Sequence, residues 1–277
     1  MRLFDIAEAQ HFCKPVPRSF HGLGQSLVSL HSGLGNVTRL LEGNANFDAH
    51  RVSLLYAVER WILFGIAGYR RALDMFIPSN APWAHVTLYY SSFFAANAIL
   101  GMFGVWIHFK RVVDVELGTP HSQRLRIQRK FHSPTGFRGS HQVFWDFFYE
   151  GCVRFSPWVP PLLQQVTAPV NSDRIWPVRA RNSVNYDSYI AFQEAQNFAS
   201  SFNPTKLGSV TGPLRQQLEL TEGMLRLALY FANYLGVRSS AFDGLGIKGN
   251  RSKIMRMLVR KVPPNLTKQS ALQELLK

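Results

Sequence analysis

The chain has 277 residues and carries 31 Lys+Arg against 17 Asp+Glu, a formal charge of +14. Hydrophobic residues make up 46% and charged residues 17%, which excludes a disordered tail protein and leaves one large domain or two small ones. Cys13 and Cys152 are too few for a disulfide framework, and Met1 to Asp5 opens no apolar leader, so a cytoplasmic protein drawn to anionic partners is expected.

Residues 1–45, with Pro15, Pro17, Gly22, Gly24, Gly33 and Gly35, read as an extension of loops with one short helix. From Asn46 a firmer pattern begins. Val52, Leu55, Val58, Ile62, Ile66, Tyr69, Leu73 and Phe76 recur at three- and four-residue spacing, which predicts a long amphipathic helix ending near Pro78. A second helix starts near Ala81, with Pro82 suited to its first turn, and is apolar nearly all round. No Asp, Glu, Lys or Arg falls between Asp74 and Lys110, and Leu88 to Phe109 is long enough to span a bilayer. The polar groups inside it (Tyr89, Tyr90, Ser91, Ser92, Asn97, His108) fit the central helix of a bundle better, and a membrane is not expected as a partner.

Alternation of period two then runs from Val105 to Leu117, Gly118-Thr119-Pro120 supplies a turn, and Arg124 to Phe131 alternates again. Residues 105–132 are therefore expected to form a β-hairpin inserted in a helical chain. The aromatic-rich stretch 141–158 predicts a helix on the core, closed by Pro157, Pro160 and Pro161; helix returns near 186–200. A last long helix follows Thr211-Gly212-Pro213 and stops at Gly236. Residues 46–237 thus read as one helical bundle and 238–277 as a basic tail, in which Lys253, Arg256 and Arg260 flank Ile254, Met255 and Leu258.

No P-loop, dinucleotide fingerprint or nucleophile elbow occurs, and the 9 His, scattered from His11 to His141, form no ligand-spaced pair. No metal and no cofactor are expected. The stretch that stands out is Arg179-Ala-Arg181-Asn182-Ser183-Val184-Asn185-Tyr186-Asp187, just before a helix. Arg181 and Tyr186 there either converge with the amides on an anion, or the segment is a capped helix start with Arg paired to a carboxylate. Two surfaces invite nucleic acid: the hairpin, through Lys110, Arg124, Arg126 and Lys130 with Trp106 and His108, and the tail, through Lys253, Arg256 and Arg260. On a hairpin the same charges also guard an edge against aggregation.

The run Trp83-x-x-Val-Thr-x-Tyr89-Tyr90-Ser91-x-Phe93-Phe94-Ala95-Ala96-x-Ala98-Ile99-Leu100 resembles the second helix of the HEPN superfamily, and Arg181-Asn182-Ser183-Val184-Asn185-Tyr186 resembles its later Arg-centred motif. The resemblance covers about 46–110 and 175–237. It implies a mainly α, antiparallel bundle that binds RNA, forms a dimer and, where active, cleaves RNA without a metal in a toxin or phage-defence setting. By position Arg181 takes the phosphate role and Asn182 the polar place after it, with Asn185 alongside. Tyr186 stands where the family has His, and a phenol of pKa about 10 is a poor base. No histidine lies beyond His141 to stand in locally. The alternative is a catalytically inactive scaffold that binds nucleic acid or a partner protein of the same system.

Overall fold

The computed structural model describes residues 5–14, 39–41, 44–108, 111–119, 122–128, 139–203 and 209–237. The protein is mainly helical. A short first helix, α1 (Ile6–Phe12), is started by Asp5, whose carboxylate accepts from the Ala7 and Glu8 amides at 2.8 and 3.2 Å. Its end is closed from outside. Arg51 donates to the carbonyls of Phe12 (2.7 Å), His11 (3.3 Å) and Lys14 (2.8 Å), satisfying groups that a helix C-terminus leaves orphaned. Arg51 belongs to α2 (Ala45–Asp74), the long amphipathic helix expected from the spacing.

The next helix, α3 (Ala81–Met102), carries Pro82 in its first turn, where a missing N–H costs nothing. It is the axis of the molecule. Gly65 and Gly68 of α2 lie against Ser91 of α3, and Gly101 of α3 lies against Val58 and Leu54 of α2, so the two helices run antiparallel. Ser91 Oγ donates to the Gly65 carbonyl at 2.5 Å, an approach that leaves no room for larger side chains. Helix α3 ends in a tight cap: Gly104 has φ +73° and the Val105 amide donates back to the Leu100 carbonyl at 2.9 Å. That left-handed conformation is why glycine stands there.

Four short strands follow the cap or join it: β1 (Arg39–Leu41), β2 (Trp106–His108), β3 (Arg111–Thr119) and β4 (Ser122–Gln128), in the order β1-β4-β3-β2 and antiparallel throughout. The continuous first strand expected from 105 is instead β2 and β3, and a strand from the N-terminal extension pairs with β4. The register sets Arg126 opposite Asp114 and Arg124 opposite Glu116, so each arginine has an acidic cross-strand neighbour. Lys110 and Lys130 lie outside the described residues, as do Lys253, Arg256, Arg260 and the rest of the tail.

Helix α4 (Ser140–Phe155) buries Phe144, Trp145, Phe148, Cys152 and Phe155 along one face. A 3-10 segment, Pro161–Thr167, leads toward α5 (Trp176–Tyr186). Asp187 then caps α6 (Ser188–Ser201) by accepting from the Tyr189 and Ile190 amides. The segment read as preceding a helix is thus itself helical, and only Asp187 interrupts it. Finally α7 (Gly212–Tyr234) packs antiparallel to α3: Gln217 meets Ser92 while Thr221 meets the Leu88 carbonyl. Among the described residues one helix, α2, is long and apolar enough to cross a membrane, and its apolar window is 56% buried within the protein.

Candidate functional site: a buried arginine, two tyrosines and a histidine

Helix α5 is amphipathic, and its buried residues are Pro177, Val178, Arg181 and Val184. Arg181 therefore sits where an apolar side chain would be expected, only 8% exposed. Its guanidinium carbon lies 5.1 Å from the ring centre of Tyr89 and 5.5 Å from that of Tyr90, both on α3. A cation between two aromatic faces is held by their quadrupoles, more strongly where water is excluded. Its Nε–H has no hydrogen-bond partner among the described residues, a cost a buried donor ordinarily avoids.

Tyr89 is fully buried and links Arg181 to a histidine. Its hydroxyl lies 2.7 Å from His141 Nδ1 and accepts from Trp145 Nε1 at 3.3 Å. Burial pushes the Tyr89 phenol up to about 12, against the opposing pull of its Trp145 hydrogen bond and the Arg181 charge, so its proton stays in place. Trp145 Nε1 can only donate, so of the two partners of the hydroxyl the acceptor for the Tyr89 O–H is His141 Nδ1. That assignment leaves the His141 proton on Nε2. Burial first, and the Arg181 charge second, hold the imidazole below its ordinary pKa, so it is neutral near pH 7.

The other motif residues go elsewhere. Tyr186 is 76% exposed at the end of α5. Five residues along an α-helix turn it about 140° away from Arg181, so the two do not converge. Asn182 is half-buried and Asn185 exposed. The arginine of the segment that pairs with a carboxylate is Arg179, with Asp173. Among the described residues no three His, Cys, Asp or Glu side chains gather as a metal would need.

His141 was invisible to motif spacing because it lies far upstream of Arg181, and only packing of α4 and α5 on α3 joins them. One signal existed. His141 heads the apolar stripe Phe144, Trp145, Phe148 and Cys152, where a polar residue demands a partner. No family model matches this chain, and neither a curated protein nor a solved structure matches it.

Proposed function

We propose that the chain is a HEPN-like RNA-binding protein, an antiparallel bundle in which Arg181 engages a backbone phosphate and His141 the nucleotide attached to it. The observation that carries the reading is the meeting of a buried, incompletely bonded arginine with a histidine across Tyr89. A guanidinium neutralises phosphate charge without reorganisation, and the imidazole N–H fixed beside it is left for another polar group of the same nucleotide. In the catalytic form of this reading the protein is a metal-independent endoribonuclease of a toxin or anti-phage system, acting as a dimer. The 2′-hydroxyl oxygen then bonds to the adjacent phosphorus and passes its proton to water, the P–O5′ bond breaks and the leaving 5′-oxygen takes a proton from water, which leaves a 2′,3′-cyclic phosphate whose charge Arg181 offsets. The basic hairpin and tail supply sequence-independent attraction to the RNA.

A second reading, binding without cleavage, is favoured by a specific observation. Tyr186 is turned outward, and the neutral His141 keeps its proton on the nitrogen left for a ligand, so no base is poised there. Incubating the protein with total RNA, with and without EDTA, separates the two. Cleavage that survives the chelator and disappears in Arg181→Met supports the enzyme. Retention of intact RNA, lost in Arg181→Met, supports the scaffold. RNA neither bound nor cut overturns both.

A further inference from the structure

Beside His141 lies a cleft of about 270 Å³ between α2, α3, β2 and the start of α4. We propose that this cleft receives a single nucleobase. The proposal deepens the RNA-binding reading and rests on it for the identity of the larger ligand.

The walls supply the first argument. Trp61 comes from α2, Phe93 from α3, Trp106 from β2, and Phe144 with His141 from α4. Five rings from four elements converge, with Phe93 already 4.5 Å from Phe144 and 4.7 Å from His141, centre to centre. Clefts for drug-sized ligands run to roughly 300–1,000 Å³, so this one suits one planar ring system rather than a longer molecule. Unstacked bases are held on such aromatic faces.

The polar atoms supply the second. Asn97 donates its amide N–H to the Phe93 carbonyl at 2.8 Å, and its Oδ1 takes no hydrogen bond from any described residue. His141 has Nδ1 engaged by Tyr89, and its Nε2–H is unspent. The cleft therefore offers one acceptor and one donor on an otherwise apolar lining. A nucleobase edge presents the complementary pair, whereas a hydrocarbon would strand both. Arg181 stands behind the same histidine, across Tyr89, which gives the attached phosphate a cation.

Ser140, exposed at the rim, allows the cleft to be closed without touching the core. The wild type and Ser140→Trp are titrated with AMP, GMP, CMP and UMP by intrinsic tryptophan fluorescence. Both are then titrated with a labelled RNA hexamer and its abasic counterpart by anisotropy. Phe93→Leu serves as a second variant that keeps volume and removes a ring, and circular dichroism checks each fold. At least one mononucleotide should bind the wild type and weaken tenfold or more in both variants. The hexamer should bind about tenfold tighter than its abasic form, equivalent to ~1.4 kcal/mol. Equal affinity for the two hexamers, with no mononucleotide bound, overturns the base site and leaves RNA binding intact. Undiminished binding by Ser140→Trp overturns it as well. If neither hexamer binds, the RNA reading fails and the mononucleotides decide. Binding blocked by Ser140→Trp then makes the cleft a free-nucleotide site, and no binding ends the proposal.

Discussion

The two sides of α3 solve the same problem differently. Toward α2 and α7, Ser91 donates to Gly65, Ser92 donates to the Tyr89 carbonyl, and Thr221 donates to the Leu88 carbonyl. Gln217 donates to Ser92. Apart from Gln217 Oε1, those polar groups close on one another and on the backbone, and they hold helices at a spacing set by glycine. Toward α4 and α5, Tyr89, Tyr90 and Phe93 surround a cation and an imidazole whose donors are not all spent. Neutral helix-joining groups that bond chiefly to one another and to the backbone fix the spacing of the helices. On the other side the group left over is a charged donor, the kind of group that an anion satisfies.

The largest expected effect tests that difference directly. Arg181→Met removes the charge while keeping an unbranched side chain against the two tyrosine rings. RNA affinity should fall about 10- to 100-fold, the loss of charge-assisted hydrogen bonds worth ~1.5–3 kcal/mol. Stability should change little, because an incompletely bonded buried cation is replaced by an apolar isostere. Chemical denaturation beside filter binding measures both. Thr221→Val should do the reverse, leaving RNA affinity alone and lowering unfolding free energy by about 1–3 kcal/mol as the Leu88 carbonyl and Gln217 lose a partner. If the two variants behave alike, the distinction between the faces of α3 is wrong.

Titration sharpens the contrast at smaller amplitude. His141 has its folded pKa lowered, so it is the unfolded chain that binds the proton first, and stability falls as pH drops below about 6.5. Over the lower part of that window the added charge should tighten RNA binding. His141→Gln should flatten both profiles. Glu222 works in the opposite sense. Burial raises its carboxyl despite the hydrogen bond from Tyr69, so its contribution is present at low pH and is lost as pH rises through the folded pKa. Glu222→Gln should remove that slope, raise neutral-pH stability slightly, and leave RNA affinity unchanged.

Helices α2 and α7 were legible because their apolar residues keep a 3.6-residue period over many turns, and α3 because a long uncharged, apolar run follows Pro82. Arg181 was legible as the residue to examine, through its type and its motif. Its surroundings were not. They depend on α4 and α5 docking on the same stretch of α3, and no local pattern records which side chains then face each other. Tyr89 and Tyr90 were read as a helix signature, yet they form the bed on which the arginine lies. The break between β2 and β3 was hidden for a different reason, since alternation continues across it unchanged.

Tyr186 is the residue on which the motif and the packing disagree most. Position in the motif gives it the place of a catalytic side chain, whereas the fold leaves it 76% exposed at the last turn of α5. An α-helix cannot bring residues five apart onto one face, because 500° of rotation leaves them on nearly opposite sides. For Tyr186 to reach a ligand at Arg181, α5 would have to unwind at its end. Asp187 opposes that by fixing the start of α6 immediately afterwards. Tyr186→Ala should therefore shift stability by no more than about 0.5 kcal/mol, as for other exposed sites without special contacts. RNA affinity and any cleavage should stay within twofold of wild type. A tenfold loss of cleavage with affinity preserved would return the chemistry to the motif as written, and would place Tyr186 rather than His141 beside the reacting phosphate.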